Sequence, residues 1–566
     1  MAKGEEPVSL FLLKALKKEG IDHVFLVPGF MIRPFFNHFS KVGIEPIVAA
    51  KEDGAAYMAD GYGRIRQSFG VCMGIGGPGV TNMATPISAA YSDRSRVFAI
   101  AGSIEAGWSA DGAFQDSSET GVHDVDIMNF MTAYAELLPD KNKINSFLKE
   151  AFIQMGGVEN LPVFLSLPRN MLDEKISLSY TPQMKNEPPR IVDTVTAKKV
   201  IESLKNNSGI VMLVGNGSVW SQADEKIKEF AEQYHIPVVT TLRAKGAISE
   251  EHEMSFGVFG MGGSVWANHV IFGSEDLGVP RPELLLVLGA TLNETNTLGW
   301  SEKFAPTKEL VCVDINPNNT RGKEYNEHFV MGDVKTFLSW LLEDEQKQDF
   351  HENLMQSKTK RQEWTNQIKK SSYYYQEIDR SSNAQPINPA RVIAELRNAA
   401  KDTNTILVVD SGAHTFFTGH HWKSFGPNQF LLLSTTGPMG YGIPMGIGAK
   451  KACEQRPCIC VVGDGSMLMG GMELFVAVRY EVPLVVVVIN NSGYGNVFIN
   501  AKEEAERELA KLPDQDWAAF AKSLGALAER IEDPKDLAKS FERALKSKKP
   551  YLIDVVCDLK YCTPNT

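Results

Sequence analysis

The stretch CICVVGDGSMLMGGMELFVAVRYEVPLVVVVINN, residues 458–491, decides how the rest of the chain is read. CICVV is short and wholly apolar, as a strand buried on both faces must be, and it ends at Gly463-Asp464-Gly465. Residues 467–480 carry apolar side chains at helical spacing, which predicts one helix there. PLVVVVI is a second buried strand and ends at Asn490-Asn491. A strand, a helix and a strand joined by a right-handed crossover lie parallel. Both polar tips therefore fall at one carboxyl edge of a sheet, where open α/β sheets bind ligands.

Asp464 and Asn491 offer a carboxylate and an amide oxygen, with backbone carbonyls close by. Such hard oxygen donors suit Mg²⁺, which keeps few protein ligands and shares the rest with phosphate and water. Gly465 and Ser466 precede a helix, so their N–H groups can face a phosphate. Gly493 lets the backbone approach the metal. A lone GDG is more often a plain turn, and an NN pair a helix cap. Here 24 residues separate Gly465 from Asn490, which puts the two motifs at the two ends of one βαβ unit and favours a magnesium-bridged diphosphate.

Outward from this unit, the 566 residues (62.5 kDa) suggest about three or four domains. A chain 43% hydrophobic and 22% charged is composed like a globular protein, not a disordered one. With 58 Lys plus Arg against 69 Asp plus Glu, the net charge of −11 argues against nucleic-acid or anionic-membrane partners. The seven cysteines form no CxxC pair, which disfavours a zinc site, and their sparse, odd number reads as reduced thiols of a cytoplasmic protein. Cys458 and Cys460 share one face of a buried strand and read as packing. The first 20 residues read as an amphipathic helix rather than a signal peptide, and no run of about 18 apolar residues predicts a membrane span.

Three blocks alternate strand-like and helix-like patterns, the signature of α/β domains with doubly wound parallel sheets. The first, residues 1–185, has apolar runs at 23–27, 44–49, 70–75, 97–101 and 162–167. Three prolines mark 178–190 as a linker. The second, 191–345, has runs at 210–214, 237–241, 284–288 and 309–313. Residues 346–389 read as a connector, mostly charged exposed helix. The third, 390–566, has strands at 405–409, 429–433, 458–462, 483–489 and 551–556.

With GDG, an interval of this length and NN in place, the chain resembles the thiamine-diphosphate-dependent enzymes of the acetohydroxyacid synthase, pyruvate oxidase and 2-oxo acid decarboxylase group, and within it the acetolactate synthase-like members. The resemblance covers nearly the whole chain and implies a PYR (pyrimidine-binding), a central and a PP (diphosphate- and Mg-binding) domain, in the order of the three blocks. It implies that Asp464, the Asn491 side chain and the Gly493 carbonyl hold Mg²⁺. Gly465, Ser466 and His414 (in DSGAHTFF, similar to the synthase segment DVGQHQMW) would hold the diphosphate, with Ala413 in place of the synthase glutamine. In STTGPMGYGIP, Gly437 would accept a hydrogen bond from the cofactor's 4′-amino group, and Met439 would support its bent form.

KEDGAAYMADGYGR, residues 51–64, is similar to the family's HEQGA-type segment and places Glu52 as the activating carboxyl. Taken alone, a glutamate at a helix N-terminus is more often a favourable surface charge. The chemistry gives it a function: the thiazolium C2 proton must leave before that carbon becomes an electron sink, and a carboxylic acid on the pyrimidine N1′ enables the cofactor's own imine to take it. Such a site must raise the carboxyl pKa. GGPGVTN, residues 76–82, resembles SGPGATN, whose counterparts of Pro78 and Asn82 contact the pyrimidine. VFLVPGF, residues 24–30, resembles the segment facing the reacting carbons, and Gln115 in AFQD resembles the FQE glutamine near the substrate. His123 is a candidate proton shuttle, weighed against an ordinary exposed histidine. The family places each site between the PYR domain of one chain and the PP domain of another, which implies a homodimer or homotetramer.

Several departures bear on the reaction. GNGSVW (215–220) lacks the third glycine of a dinucleotide fingerprint, and GMGG and TLNET stand where FAD-carrying members have GMHG and RFDDR, which weighs against FAD. Asn500 stands near the tryptophan that favours 2-oxobutanoate in the synthases. There is no His-His pair in the first block, and Val497 occupies the glutamate position of plain pyruvate decarboxylases; the only HH is His420-His421. The expectation is a transferase or lyase that decarboxylates a small 2-oxo acid such as pyruvate and ligates the resulting enamine to an acceptor carbonyl. Alternatives are decarboxylation to an aldehyde, acyl-phosphate formation, cleavage of a hydroxyacyl-CoA or dione, or a cofactor-binding homologue without turnover.

Overall fold

The computed structural model describes residues 4–184, 190–320, 325, 327–400 and 404–564. Part of the 178–190 linker, at 185–189, lies outside the described residues, as do 1–3 of the N-terminal segment. Helix Val8–Lys18 buries Phe11, Leu12 and Leu16, so the N-terminal apolar periodicity is a core-facing helix.

Three six-stranded parallel sheets stand in the three blocks. The first holds β1 (His23–Leu26), β2 (Glu45–Val48), β3 (Gly70–Ile75), β4 (Val97–Ser103), β5 (Tyr134–Leu137) and β6 (Val163–Pro168), in the order β2-β1-β3-β4-β6-β5. The second holds β7 (Ile210–Val214), β8 (Val238–Thr240), β9 (Ser255–Val258), β10 (Leu284–Leu288), β11 (Glu309–Asp314) and β12 (Glu327–Met331), in the order β9-β8-β7-β10-β11-β12. The third holds β13 (Ile406–Val409), β14 (Phe430–Leu431), β15 (Cys458–Gly463), β16 (Leu484–Asn490), β17 (Leu527–Ile531) and β18 (Tyr551–Val556), in the order β14-β13-β15-β16-β18-β17. The outer sheets thus share one strand order, and each reverses direction beside its first strand. That reversal leaves a crevice at the carboxyl edge, between β1 and β3 in one sheet and between β13 and β15 in the other.

The strands missing from the apolar pattern are β5, β9, β12 and β17, and each is an edge strand. At β5, β12 and β17 the edge is covered less completely, so the sequence need not be a continuous apolar run: β17 reads LAERI, with only Ile531 buried. β9 reads SFGV and is buried throughout; Ser255 and Gly257 interrupt its apolar run. The predicted helix 467–480 is instead helix Asp464–Gly470, a 3₁₀ turn Gly471–Glu473 and helix Leu474–Arg479. The break falls at the Gly470-Gly471 pair, the weakest helix formers in the run. Residues 346–389 also differ from an exposed connector. Helices Asp344–Gln356 and Lys358–Lys369 bury Phe350 and Leu354 against one face of the central sheet and Trp364 and Ile368 against the other. Arg361, buried between them, donates to Tyr234 O at 2.7 Å and Ser208 O at 2.9 Å.

The first and third domains share one apolar core, which runs from Val8 to Leu552. Its seam is the crossing of helix Glu52–Arg66 with helix Gly442–Ala452. A methyl added at Gly61 or Gly448 would fall well inside contact distance of Met445 O or Met58 O, so the two backbones meet only because side chains are absent. Gly448→Ala is therefore expected to destabilise this seam by about 1–3 kcal/mol. Calorimetry should show a lower transition for the joined domains and an unchanged one for the central domain.

Candidate active site

β15 and β16 pair with Gly463 opposite Ile489, which brings Asp464 beside Asn490 and Asn491. Asp464 is 4% exposed; Oδ1 accepts Gly465 N–H at 2.9 Å and Oδ2 accepts Gly493 N–H at 2.8 Å. Ser492, between Asn491 and Gly493, has φ 54°, a conformation seldom taken outside glycine, and it turns the chain so that Gly493 N–H meets the carboxylate. Burial pushes the Asp464 carboxyl up to about 6 despite these bonds, because the charged form loses its water there.

His414 lies in the first turn of helix Ala413–His421, its ring against Gly463. Burial pushes its pKa down to about 4, so the ring is neutral near pH 7. Its Nε2 is buried and has no hydrogen-bond partner among the described residues. Gly437 adopts φ 57°, and the turn that carries it and Met439 is held by Asp410 at the tip of β13. The Asp410 carboxylate accepts Gly440 N–H at 3.1 Å and Gly442 N–H at 2.7 Å.

His414, Gly437, Met439, Asp464, Gly465, Ser466, Asn491 and Gly493 all line one cavity of about 210 Å³ at this edge. Among the described residues its lining includes Asp464 and Asp558 but no lysine or arginine. A diphosphate there would meet two carboxylates and a neutral imidazole, so it fits only together with a divalent cation. With that cation the donor set fits: Asp464 and Asn491 offer oxygens to the metal, and the unpartnered His414 Nε2 can donate to a phosphate oxygen when that nitrogen carries a proton.

The second cluster stands in the first domain. Glu52 opens helix Glu52–Arg66 and is 9% exposed, with Oε2 accepting from Asn82 Nδ2 at 2.9 Å. Pro78 opens the next helix, Pro78–Ser92, whose Gly79 lies against Glu52. The Gly76-Gly77 turn before it is tied to Asp124, whose Oδ2 accepts Gly77 N–H at 2.9 Å and whose carboxyl burial pushes up to about 7. Gln115, at φ 58°, places its carbonyl near Gly77. His123 is exposed and pairs with Asp126 in its own turn at 3.1 Å.

Glu52, Pro78, Asn82 and Gln115 thus gather at one edge and the third-block residues at another. Among the described residues, none before Pro389 lines the 210 Å³ cavity. Three contributors escaped the sequence reading. Asp410 had a signal, since it follows a predicted strand within DSGAHTFF. Asp558 and Tyr561, brought to the cavity by the chain leaving β18, belong to a terminal stretch that the sequence left open between folding over the cleft and standing free.

In the central domain, Gly215 and Gly217 pack against Gly289 and Ala290, and Gly217 N–H is spent on Gly289 O at 2.9 Å. These glycines serve a close chain crossing, and beside the turn lie cavities of about 310 and 270 Å³ lined by Gly217, Trp220 and Gly289. Among the described residues, no helix is long and apolar enough to cross a membrane, and no group of three or more His, Cys, Asp or Glu side chains is placed to hold a metal.

Three models of one family match the chain in order. They are thiamine pyrophosphate enzyme, N-terminal TPP binding domain, over residues 8–122; central domain, over 197–341; and C-terminal TPP binding domain, over 410–555. The chain is 29% identical to the probable acetolactate synthase large subunit of Methanocaldococcus jannaschii, over 98% of this chain and 92% of that protein. It is 28% identical to the probable acetolactate synthase large subunit of Methanococcus aeolicus (97% and 91% covered) and 27% identical to the acetolactate synthase large subunit of Haemophilus influenzae (97% and 94% covered).

Proposed function

Because the chain belongs to the thiamine-pyrophosphate-dependent enzymes, we propose that it is an acetolactate synthase-like carboligase that decarboxylates a small 2-oxo acid, pyruvate first, and joins the remaining fragment to an acceptor carbonyl. The observation that carries this reading is the convergence of eight residues of the third domain on one cavity without a lysine or arginine, suited to a diphosphate and its cation. When bound, thiamine diphosphate supplies a C2 carbon able to hold the electron pair left by CO₂.

The chain's own residues would divide the rest of the work. Asp464, Asn491 and the Gly493 carbonyl would hold Mg²⁺, and Gly465, Ser466 and His414 the diphosphate. With Oε2 taken by Asn82, Glu52 has Oε1 left to hold the proton shared with the pyrimidine. The Asp410-held turn would present Gly437 and Met439 to the ring. Val497 and Ile499 line the cavity, and the wall formed by residues 494–499 has no acid to deliver a proton to the carbon that loses CO₂. That favours capture by a second carbonyl over release of an aldehyde.

The reading also requires two chains. Within one chain the Glu52 cluster contributes nothing to the cavity, while Leu468, Met469, Met472 and Phe475, just beyond Asp464, are each 46–55% exposed. An exposed apolar row of this kind suits burial against the first domain of a second copy.

Mass spectrometry of products from a panel of 2-oxo acids, with thiamine diphosphate and Mg²⁺, tests the reaction. Pyruvate is expected to give a five-carbon 2-hydroxy-3-oxo acid. Acetaldehyde as the main product, or acetyl phosphate when phosphate is added, would replace carboligation with the corresponding alternative.

A further inference from the structure

Glu473 belongs to the third domain, yet its carboxylate reaches the first. It closes the 3₁₀ turn Gly471–Glu473, only nine residues beyond Asp464, and is 4% exposed. Its Oε2 accepts Ala50 N–H at 3.2 Å and its Oε1 accepts Lys51 N–H at 3.2 Å. These are the two residues immediately before Glu52, and Lys51 is the N-cap of the helix that Glu52 opens. Lys51 supplies no side-chain cap of its own. The carboxylate also fills the space of a missing side chain: a methyl at Gly54, in the helix's first turn, would overlap Glu473 Oε1. A helix N-terminus attracts a negative charge and leaves backbone donors to satisfy. From another domain, Glu473 supplies the charge and takes the N–H of the N-cap, Lys51, and of Ala50 before it.

We propose that Glu473 is a positioning residue for the activating carboxyl, clamping residues 50–54 so that Glu52 and Asn82 hold one fixed geometry toward the pyrimidine. This rests on the assignment of Glu52 as activator. Burial pushes the Glu473 carboxyl up to about 7 even with two N–H groups on it, so simple packing would be better served by an apolar side chain. Its two oxygens each take one donor, which a glutamine cannot reproduce, because its amide nitrogen would oppose one N–H.

The test is exchange of the C2 proton of bound thiamine diphosphate for deuterium, with Mg²⁺ present, followed in parallel with cofactor affinity. In Glu473→Gln, exchange is expected to slow by about 10–100-fold, the scale of a misplacement near 1 Å. The dissociation constant of thiamine diphosphate should stay within about threefold of wild type, since the diphosphate donors are untouched. Exchange at the wild-type rate overturns the proposal, and so does a loss of affinity that accounts for the whole loss of exchange. If Glu473→Gln does not fold, Gly54→Ala displaces the same carboxylate from the opposite side. It should slow exchange alike, and normal exchange in Gly54→Ala overturns the proposal. Wild-type exchange in Glu52→Gln would instead remove the activator assignment on which the proposal stands.

Discussion

Glu52→Gln is expected to lower both C2 proton exchange and pyruvate turnover by about 10²–10⁴-fold, the usual contribution of a positioned acid–base group. The fold should survive. The amide side chain has the size of the carboxyl it replaces, and its carbonyl oxygen still accepts from Asn82, so a thermal midpoint close to wild type accompanies the loss. The deficit arises because an amide cannot carry the proton that a carboxylic acid shares with the pyrimidine. Cofactor affinity should fall far less than exchange, since the diphosphate and its cation are assigned to third-domain residues that this variant leaves untouched. Near-normal exchange in this variant would end the assignment of Glu52.

Asp464→Asn is expected to act on the other half of the site, through binding. The variant keeps an oxygen but loses the charge that draws in the cation. Because among the described residues the cavity lining contains no lysine or arginine, none of them replaces the missing interaction. Removing one partner of a buried charge pair costs about 3–5 kcal/mol, which is on the order of 10²–10⁴-fold in affinity. Titration calorimetry with thiamine diphosphate and Mg²⁺ should show this loss, and EDTA should reproduce it in the wild-type protein. Equal affinity with and without a divalent ion would show that the diphosphate is held by some other means.

The two variants together report on the second chain. If each site joins the first domain of one protomer to the third domain of another, a heterodimer of Glu52→Gln with Asp464→Asn has one intact site and one doubly altered site. Random pairing makes half the dimers mixed, so about a quarter of wild-type activity should return on co-expression. If both halves came from one chain, none would return.

The contrast between β16 and β17 shows how far local pattern reaches. LVVVVIN is buried at every position and declares itself a central strand, whereas LAERI is paired by only one neighbour and keeps a charged, half-covered surface. The same limit holds at the site. Asp464 and Asn491 were legible because one βαβ unit contains both, whereas Glu52 and Asn82 were reached only through the likeness of residues 51–64 and 76–82 to the family's segments, since taken alone a glutamate at a helix N-terminus is more often a surface charge. Asp558, Tyr561 and Glu473 were not legible, since their partners lie far along the chain or in another domain.

What the sequence determined by itself was therefore confined to strand–helix–strand units: three parallel sheets, the polar edge of each crevice, and the oxygen and N–H donors standing there, but not the helix break at Gly470-Gly471 or the edge strands. Handedness and side-chain period are local properties and need no distant partner. Only the tertiary structure decided that the Glu473 carboxylate would grip the residues before Glu52, that Gly448 and Gly61 would let two helix backbones touch, and that His414 would be buried neutral with one nitrogen unspent. Those outcomes depend on which surfaces exclude water from one another, and no single stretch of the chain specifies that.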